Sequence, residues 1–130
     1  MKVKYLWLFL PFLFFGCSKS LVHTWNIDKF EIIRENGQST GSDNIGTITF
    51  NKNGSGHKDI NYTIFDHQYS DKSGFKWEKH DGYILLKSTK SEDKSKLNKA
   101  WIILEDGAKK QVWKSTNGEH QIEVLQLSRN

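Results

Sequence analysis

From Trp25 onward the chain runs as short stretches in which apolar side chains recur at every second position, broken by polar, turn-forming residues. In Ile45 to Lys52, Ile48 and Phe50 share one face while Thr47 and Thr49 take the other. Ile60, Tyr62 and Ile64 share a face of the next run, as do Phe75 and Trp77 of the one after. Tyr83 to Lys87, Ala100 to Leu104 and Gln111 to Lys114 are shorter and also carry apolar residues, the last bringing Val112 and Trp113. A period of two marks half-buried antiparallel strands. Two runs change parity: Trp25/Ile27 give way to Phe30/Ile32, and Ile122/Val124 give way to Leu125/Leu127. Each shift predicts a β-bulge, the second one late in the last strand. No helix of ordinary length is visible, beyond room for one turn at Ser20 to His23.

The punctuation supports hairpins. Asn36-Gly37, Asn53-Gly54, Asp81-Gly82, Asp106-Gly107 and Asn117-Gly118 supply the positive φ angles that tight type I′ turns require. About eight strands result, joined mostly by short turns. A sheet of that size must hide its edges by closing into a barrel or folding into a sandwich, and sequential hairpins without long crossovers favour an up-and-down meander over a Greek key. The predicted fold class is all-β, an antiparallel up-and-down β-barrel of about eight strands. Gly37 to Asn44, Asp66 to Gly74 and Ser88 to Lys99 read as longer polar connections.

The first twenty residues follow another pattern. Lys2 and Lys4 precede an apolar stretch, Tyr5 to Phe15, interrupted by Pro11; then come Gly16, Cys17 and Ser18-Lys19-Ser20. The stretch falls short of the roughly 20 apolar residues a membrane span needs, and suits the core of an export signal. A short apolar run, a small residue and then cysteine resembles a bacterial lipoprotein signal. The resemblance implies removal of residues 1–16, lipidation of Cys17 with palmitate-type acyl chains, and a tether over residues 17–22. Residues 23–130 are then the folded domain. Ser18 and Lys19 imply retention in the outer membrane, and the lack of an acidic cluster after Cys17 implies its periplasmic face.

Composition agrees with export and narrows the partners. Cys17 is the only cysteine, so an exported domain would hold together by packing without disulfides. About 114 residues would remain, enough for one core. Two of the four net positive charges are Lys2 and Lys4, and the remainder is too weakly basic to suggest nucleic acid.

The arrangement resembles the small lipocalin-like lipoproteins of the Bacteroidetes envelope, within the calycin barrels. Trp25 stands near the start of the first strand, and Gly46-Thr47-Ile48-Thr49-Phe50 with Asn53-Gly54-Ser55-Gly56 matches their second strand and hairpin. Phe75, Trp77 and Asp81-Gly82-Tyr83-Ile84-Leu85 match the middle hairpin, and Ile122-Glu123-Val124-Leu125 the last strand. His23 stands where such proteins usually carry glycine, and no late arginine pairs with the tryptophan by sequence matching. The resemblance implies a calyx.

Candidate chemistry is sparse. Trp25, Phe50, Tyr62, Trp77, Trp101 and Trp113 are the candidate ligand-binding residues, as aromatic walls of an apolar cavity; Phe75 belongs to the same set. Packing as core is the alternative for each of them. His23, His57, His67, His80 and His120 offer only the His57/Asp59 and His67/Tyr69 pairs on shared faces, so no metal site is predicted. No serine sits in a nucleophile elbow and no glycine-rich phosphate loop occurs, so neither catalytic residues nor a cofactor are predicted. Glu92 and Asp93 interrupt the lysines of Ser88 to Lys99, which therefore read as a solvated loop rather than a surface for anionic headgroups. The sequence thus predicts a monomeric, lipid-anchored barrel, not an enzyme, that binds a small apolar or amphipathic molecule. The rival reading is a solid-core module that docks an envelope protein.

Overall fold

The computed structural model describes residues 21–90, 95–116 and 121–130. The signal stretch, Cys17, most of the tether, residues 91–94, the Asn117-Gly118 turn and His120 lie outside the described residues. Eight strands follow in order: β1 (Thr24–Arg34), β2 (Ser39–Phe50), β3 (Ser55–Ile64), β4 (His67–His80), β5 (Tyr83–Ser88), β6 (Ala100–Asp106), β7 (Lys110–Thr116) and β8 (Gln121–Ser128). Each pairs antiparallel with its sequence neighbour, and β8 returns to β1, so the sheet closes. The all-β, eight-stranded up-and-down barrel expected from the pattern is the observed architecture.

Alternation becomes one inward row per strand. β3 shows it most plainly, with Gly56, Lys58, Ile60, Tyr62 and Ile64 buried and the residues between them exposed. Asn36-Gly37, Asn53-Gly54 and Asp81-Gly82 all lie in turns, with φ of 87°, 89° and 85° at the glycines. Gly107 follows β6 and donates its N–H to Lys110 O at 2.8 Å, which starts the turn into β7. Gly56 serves packing instead. A Cβ there would lie 2.4 Å from Thr49 O and 2.5 Å from the Phe75 ring, so only glycine lets that ring lie against β3.

Three expectations need correction. The β1 bulge is present: the register of β1 against both neighbours slips between Ile27 and Lys29, so Ile27 and Phe30 both turn inward. The bulge predicted in β8 is absent, and its register against β7 is unbroken. The inward row there is Gln121, Glu123, Leu125 and Leu127; a buried glutamate holds a place that apolar counting had assigned to Ile122 and Val124. Gly37 to Asn44 and Asp66 to Gly74 are not long loops. β2 begins at Ser39, and β4 begins at His67 after a two-residue turn, Phe65-Asp66, with φ of 48° and 69°. Those φ values have the sign of a type I′ turn without its usual glycine. Polar residues on both faces of these strand ends had concealed the alternation. Finally, residues 95–99 do not belong to a solvated loop, since Leu97 is fully buried in the core.

One end of the barrel is filled with aromatic rings. Phe50 meets Phe75, Trp77 and Trp113 edge-on, with centroids 5.5, 5.4 and 5.9 Å away, and Trp101 lies 6.5 Å from Trp113. Trp25 donates its indole N–H to Leu21 O at 3.0 Å, and the Arg129 guanidinium sits 5.5 Å over its ring. A late arginine therefore does pack on Trp25, although sequence matching did not single it out.

Candidate functional site: a cavity at the rim

Strict up-and-down order brings the β1–β2, β3–β4, β5–β6 and β7–β8 connections to the same end. There the strands enclose an open cavity of about 550 Å³. Its apolar wall comes from Ile32 of β1, Ile64 of β3, Phe65 of the β3–β4 turn and Tyr69 of β4. Arg34, Lys96 and Lys99 add positive charge, while His67, Gln121 and Glu123 complete the lining. The Arg34 guanidinium carbon lies 3.6 Å from the centroid of Phe65, and Lys96 Nζ lies 5.0 Å from that of Tyr69. Both are cation–π contacts. Lys99 pairs with Glu123, whose carboxylate is almost wholly buried.

A polar cluster supports one side of this end. β5 is six residues long and reaches β4 only between Phe75 and His80, so the first half of β4 has no strand on that flank. Residues 95–99 fold inward there. Lys58, 1% exposed on the inner row of β3, donates to Ser95 Oγ (2.5 Å) and Asn98 Oδ1 (2.9 Å). Its Nζ is 3.1 Å from Asp71 Oδ2. Ser95 and Ser73 each donate a hydroxyl to the Asp71 carboxylate at 2.5 Å. Burial by itself works to raise the Asp71 carboxyl, but the Ser73 and Ser95 hydrogen bonds and the Lys58 charge outweigh it and hold the group below the ordinary range. A buried lysine unpaired would be costly, and the cluster supplies its partners. Leu97, carried in by the same segment, accepts the Trp101 indole N–H at its carbonyl (2.9 Å).

The candidate aromatics separate by position. Trp25, Phe50, Trp101 and Trp113 are buried in the core, and half-buried Trp77 closes over Phe50 with its indole N–H on Asn51 O and Ser55 O. None of these five is among the described residues lining the rim cavity. Tyr62 comes nearest, stacked 5.1 Å from the cavity residue Tyr69 and edge-on to Phe30 at 5.3 Å. Burial first, and the Asp71 charge second, push its hydroxyl well above the ordinary phenol range, so it stays a neutral ring. The structure therefore does not gather the six into one site. It gathers Tyr69, named in the sequence only beside His67, with Arg34, Lys96, Lys99 and Glu123, which sequence reasoning did not propose as ligand-binding. A signal existed for the neighbouring polar cluster, since parity places Lys58 on the inward row with Ile60.

His67 and Tyr69 do share the cavity wall, whereas His57 and Asp59 face outward from β3. Among the described residues no group of three or more His, Cys, Asp or Glu is placed to hold a metal ion.

No protein family and no curated protein matches this chain. Among solved structures, a redesigned β-barrel is similar to 88% of this chain and 95% of its own length, at 16% identity and a TM-score of 0.45.

Proposed function

We propose that this chain is a lipid-anchored envelope lipoprotein, of the lipocalin-like kind, whose barrel takes up a small amphipathic molecule at its open end. The observation that carries this reading is the rim cavity, with apolar wall and charged edge on one rigid frame. Its volume lies within the roughly 300–1,000 Å³ of small-molecule sites. Apolar ligand surface buried there contributes about 25 cal/mol per Å², less the cost of ordering the ligand. The aromatic base serves as the rigid floor below the cavity rather than as its wall. Incubation of residues 21–130 with an envelope lipid and metabolite extract is expected to yield, by native mass spectrometry, a stoichiometric adduct. A clean apo peak at lipid concentrations that saturate a known binder would remove the reading.

The anchor rests on Cys17 and the signal-like stretch before it. Cys17→Ser is expected to abolish incorporation of a labelled palmitate analogue and to release the protein from the membrane fraction. Ser18 and Lys19 suggest retention in the outer membrane, and the lack of an acidic cluster after Cys17 favours its periplasmic face.

One observation favours the rival reading of a protein-interaction module. Tyr83, Ile102 and Leu104 are large apolar side chains exposed on the outside of β5 and β6. An apo peak in the extract, together with loss of a captured envelope protein on Ile102→Lys, would support that alternative.

A further inference from the structure

The charges on the cavity wall do not balance. Glu123 is the one acid among the described lining residues, and Lys99 already pairs with it. Arg34 and Lys96 remain. Among the described residues no carboxylate forms an ion pair with either of them. Both are instead held over aromatic faces, Arg34 on Phe65 and Lys96 on Tyr69. A guanidinium stacked on a ring keeps its N–H edge, the part that binds oxyanions, in the plane away from that ring. The rings therefore position two positive heads without neutralising them. Ile32 and Ile64 provide apolar surface on the same wall.

We infer that the rim cavity selects amphipathic molecules with an anionic head, a carboxylate or phosphate monoester. Arg34 and Lys96 hold the head, while the tail lies against Ile32 and Ile64. This rests on the cavity being a ligand site, as proposed above. Charge-assisted hydrogen bonds from a fork-shaped guanidinium are the strong kind, so the head contributes the selectivity.

The test compares ligands that share a tail. Residues 21–130 contain every strand of the closed barrel. This unit is titrated by calorimetry with dodecanoate, dodecyl phosphate, dodecanol, dodecyltrimethylammonium and inorganic phosphate, each below its micelle concentration. Dodecanoate and dodecyl phosphate are expected to bind about ten-fold or more tightly than dodecanol. That preference shrinks at high salt, because the heads lie at an open rim. Arg34→Gln with Lys96→Gln is expected to bring dodecanoate to the affinity of dodecanol while dodecanol binding is unchanged. Lys96→Gln alone and the charge-keeping Arg34→Lys, each checked for an unchanged melting temperature, guard against a variant that fails to fold. Equal affinity for dodecanoate and dodecanol, or preference for the cationic amphipath, overturns the anionic head and leaves the cavity reading in place. Binding of inorganic phosphate without any tailed ligand overturns the amphipath and makes the pair a free-anion site. No binding of any of the five overturns both readings.

Discussion

Replacing Trp113 by alanine is expected to destabilise the barrel by about 3–5 kcal/mol, the range for removing a buried aromatic. The side chain is fully buried on the inner row of β7 and touches residues from distant parts of the chain. Phe50 of β2 meets it edge-on, Trp101 of β6 packs beside it, and its indole N–H donates to Gln111 Oε1 at 3.0 Å. Gln111 is itself buried, and its amide donates to Asp106 Oδ1 (2.7 Å) and Gly107 O (3.0 Å) at the β6–β7 turn. Alanine would thus leave a cavity beneath Phe50 and strip a buried amide oxygen of its donor. Urea unfolding followed by circular dichroism measures the change. Trp113→Phe keeps most of the volume and is expected to recover over half of the loss. A loss below about 1 kcal/mol for the alanine variant would mean the aromatic base is not close-packed.

Asp71→Ala is expected to cost about 3–5 kcal/mol, because it removes a charged partner, 3.1 Å away, of a lysine with no exposed side-chain surface. The cost belongs to the stranded Lys58 charge rather than to the attraction itself. For that reason Lys58→Met combined with Asp71→Leu is expected to regain most of the stability lost in Asp71→Ala. A double variant as unstable as the single one would show that the cluster acts by shape, through Ser95 and Asn98, and not by charge. The pH dependence carries a definite sign. The folded-state pKa of Asp71 lies below that of the unfolded chain, so the folded protein releases this proton more readily. Its stabilisation is complete above about pH 4 and is lost as pH falls through the folded value. The stability gap between the native protein and Asp71→Asn should therefore hold at neutral pH and narrow below about pH 4.

These two sites differ in how far the chain announces them. Trp113 was readable as a core candidate because a large aromatic in a short apolar run between Asp-Gly and Asn-Gly has few other places to go. That it fills the core rather than lining the cavity was not readable, since inward residues line a cavity or fill one depending on the other strands. Lys58 and Asp71 are 13 positions apart, and Asp71 fell in a stretch that reads as a polar connection, because polar residues on inward rows look like interruptions of a pattern. The same effect produced the false bulge in β8, where Glu123 was counted as outward because it is charged.

The resemblance to lipocalin-like lipoproteins predicted the barrel, and the closed β1 to β8 topology agrees with that fold. It did not locate the cavity, because the aromatics that carried the resemblance lie mostly in the filled base. The rim cavity involves Arg34, Tyr69, Lys96 and Glu123, which lie on four separate segments and share no local motif.

By itself the sequence determined the strands, their alternation and most of their turns, because those depend on residues within a few positions of one another. Period two selects a half-buried strand, and Asn-Gly or Asp-Gly supplies the left-handed φ that reverses it. About eight strands joined by hairpins favour hiding the edges in a barrel or a sandwich, and the pairing of β8 with β1 makes the barrel the outcome. The tertiary structure alone decided which end is filled, which charges are buried and where a ligand-sized space remains. Those outcomes depend on the length of β5, on the inward fold of residues 95–99 and on the meeting of side chains from opposite walls. They are sums of volume and charge over the whole barrel, and no short stretch of chain contains them.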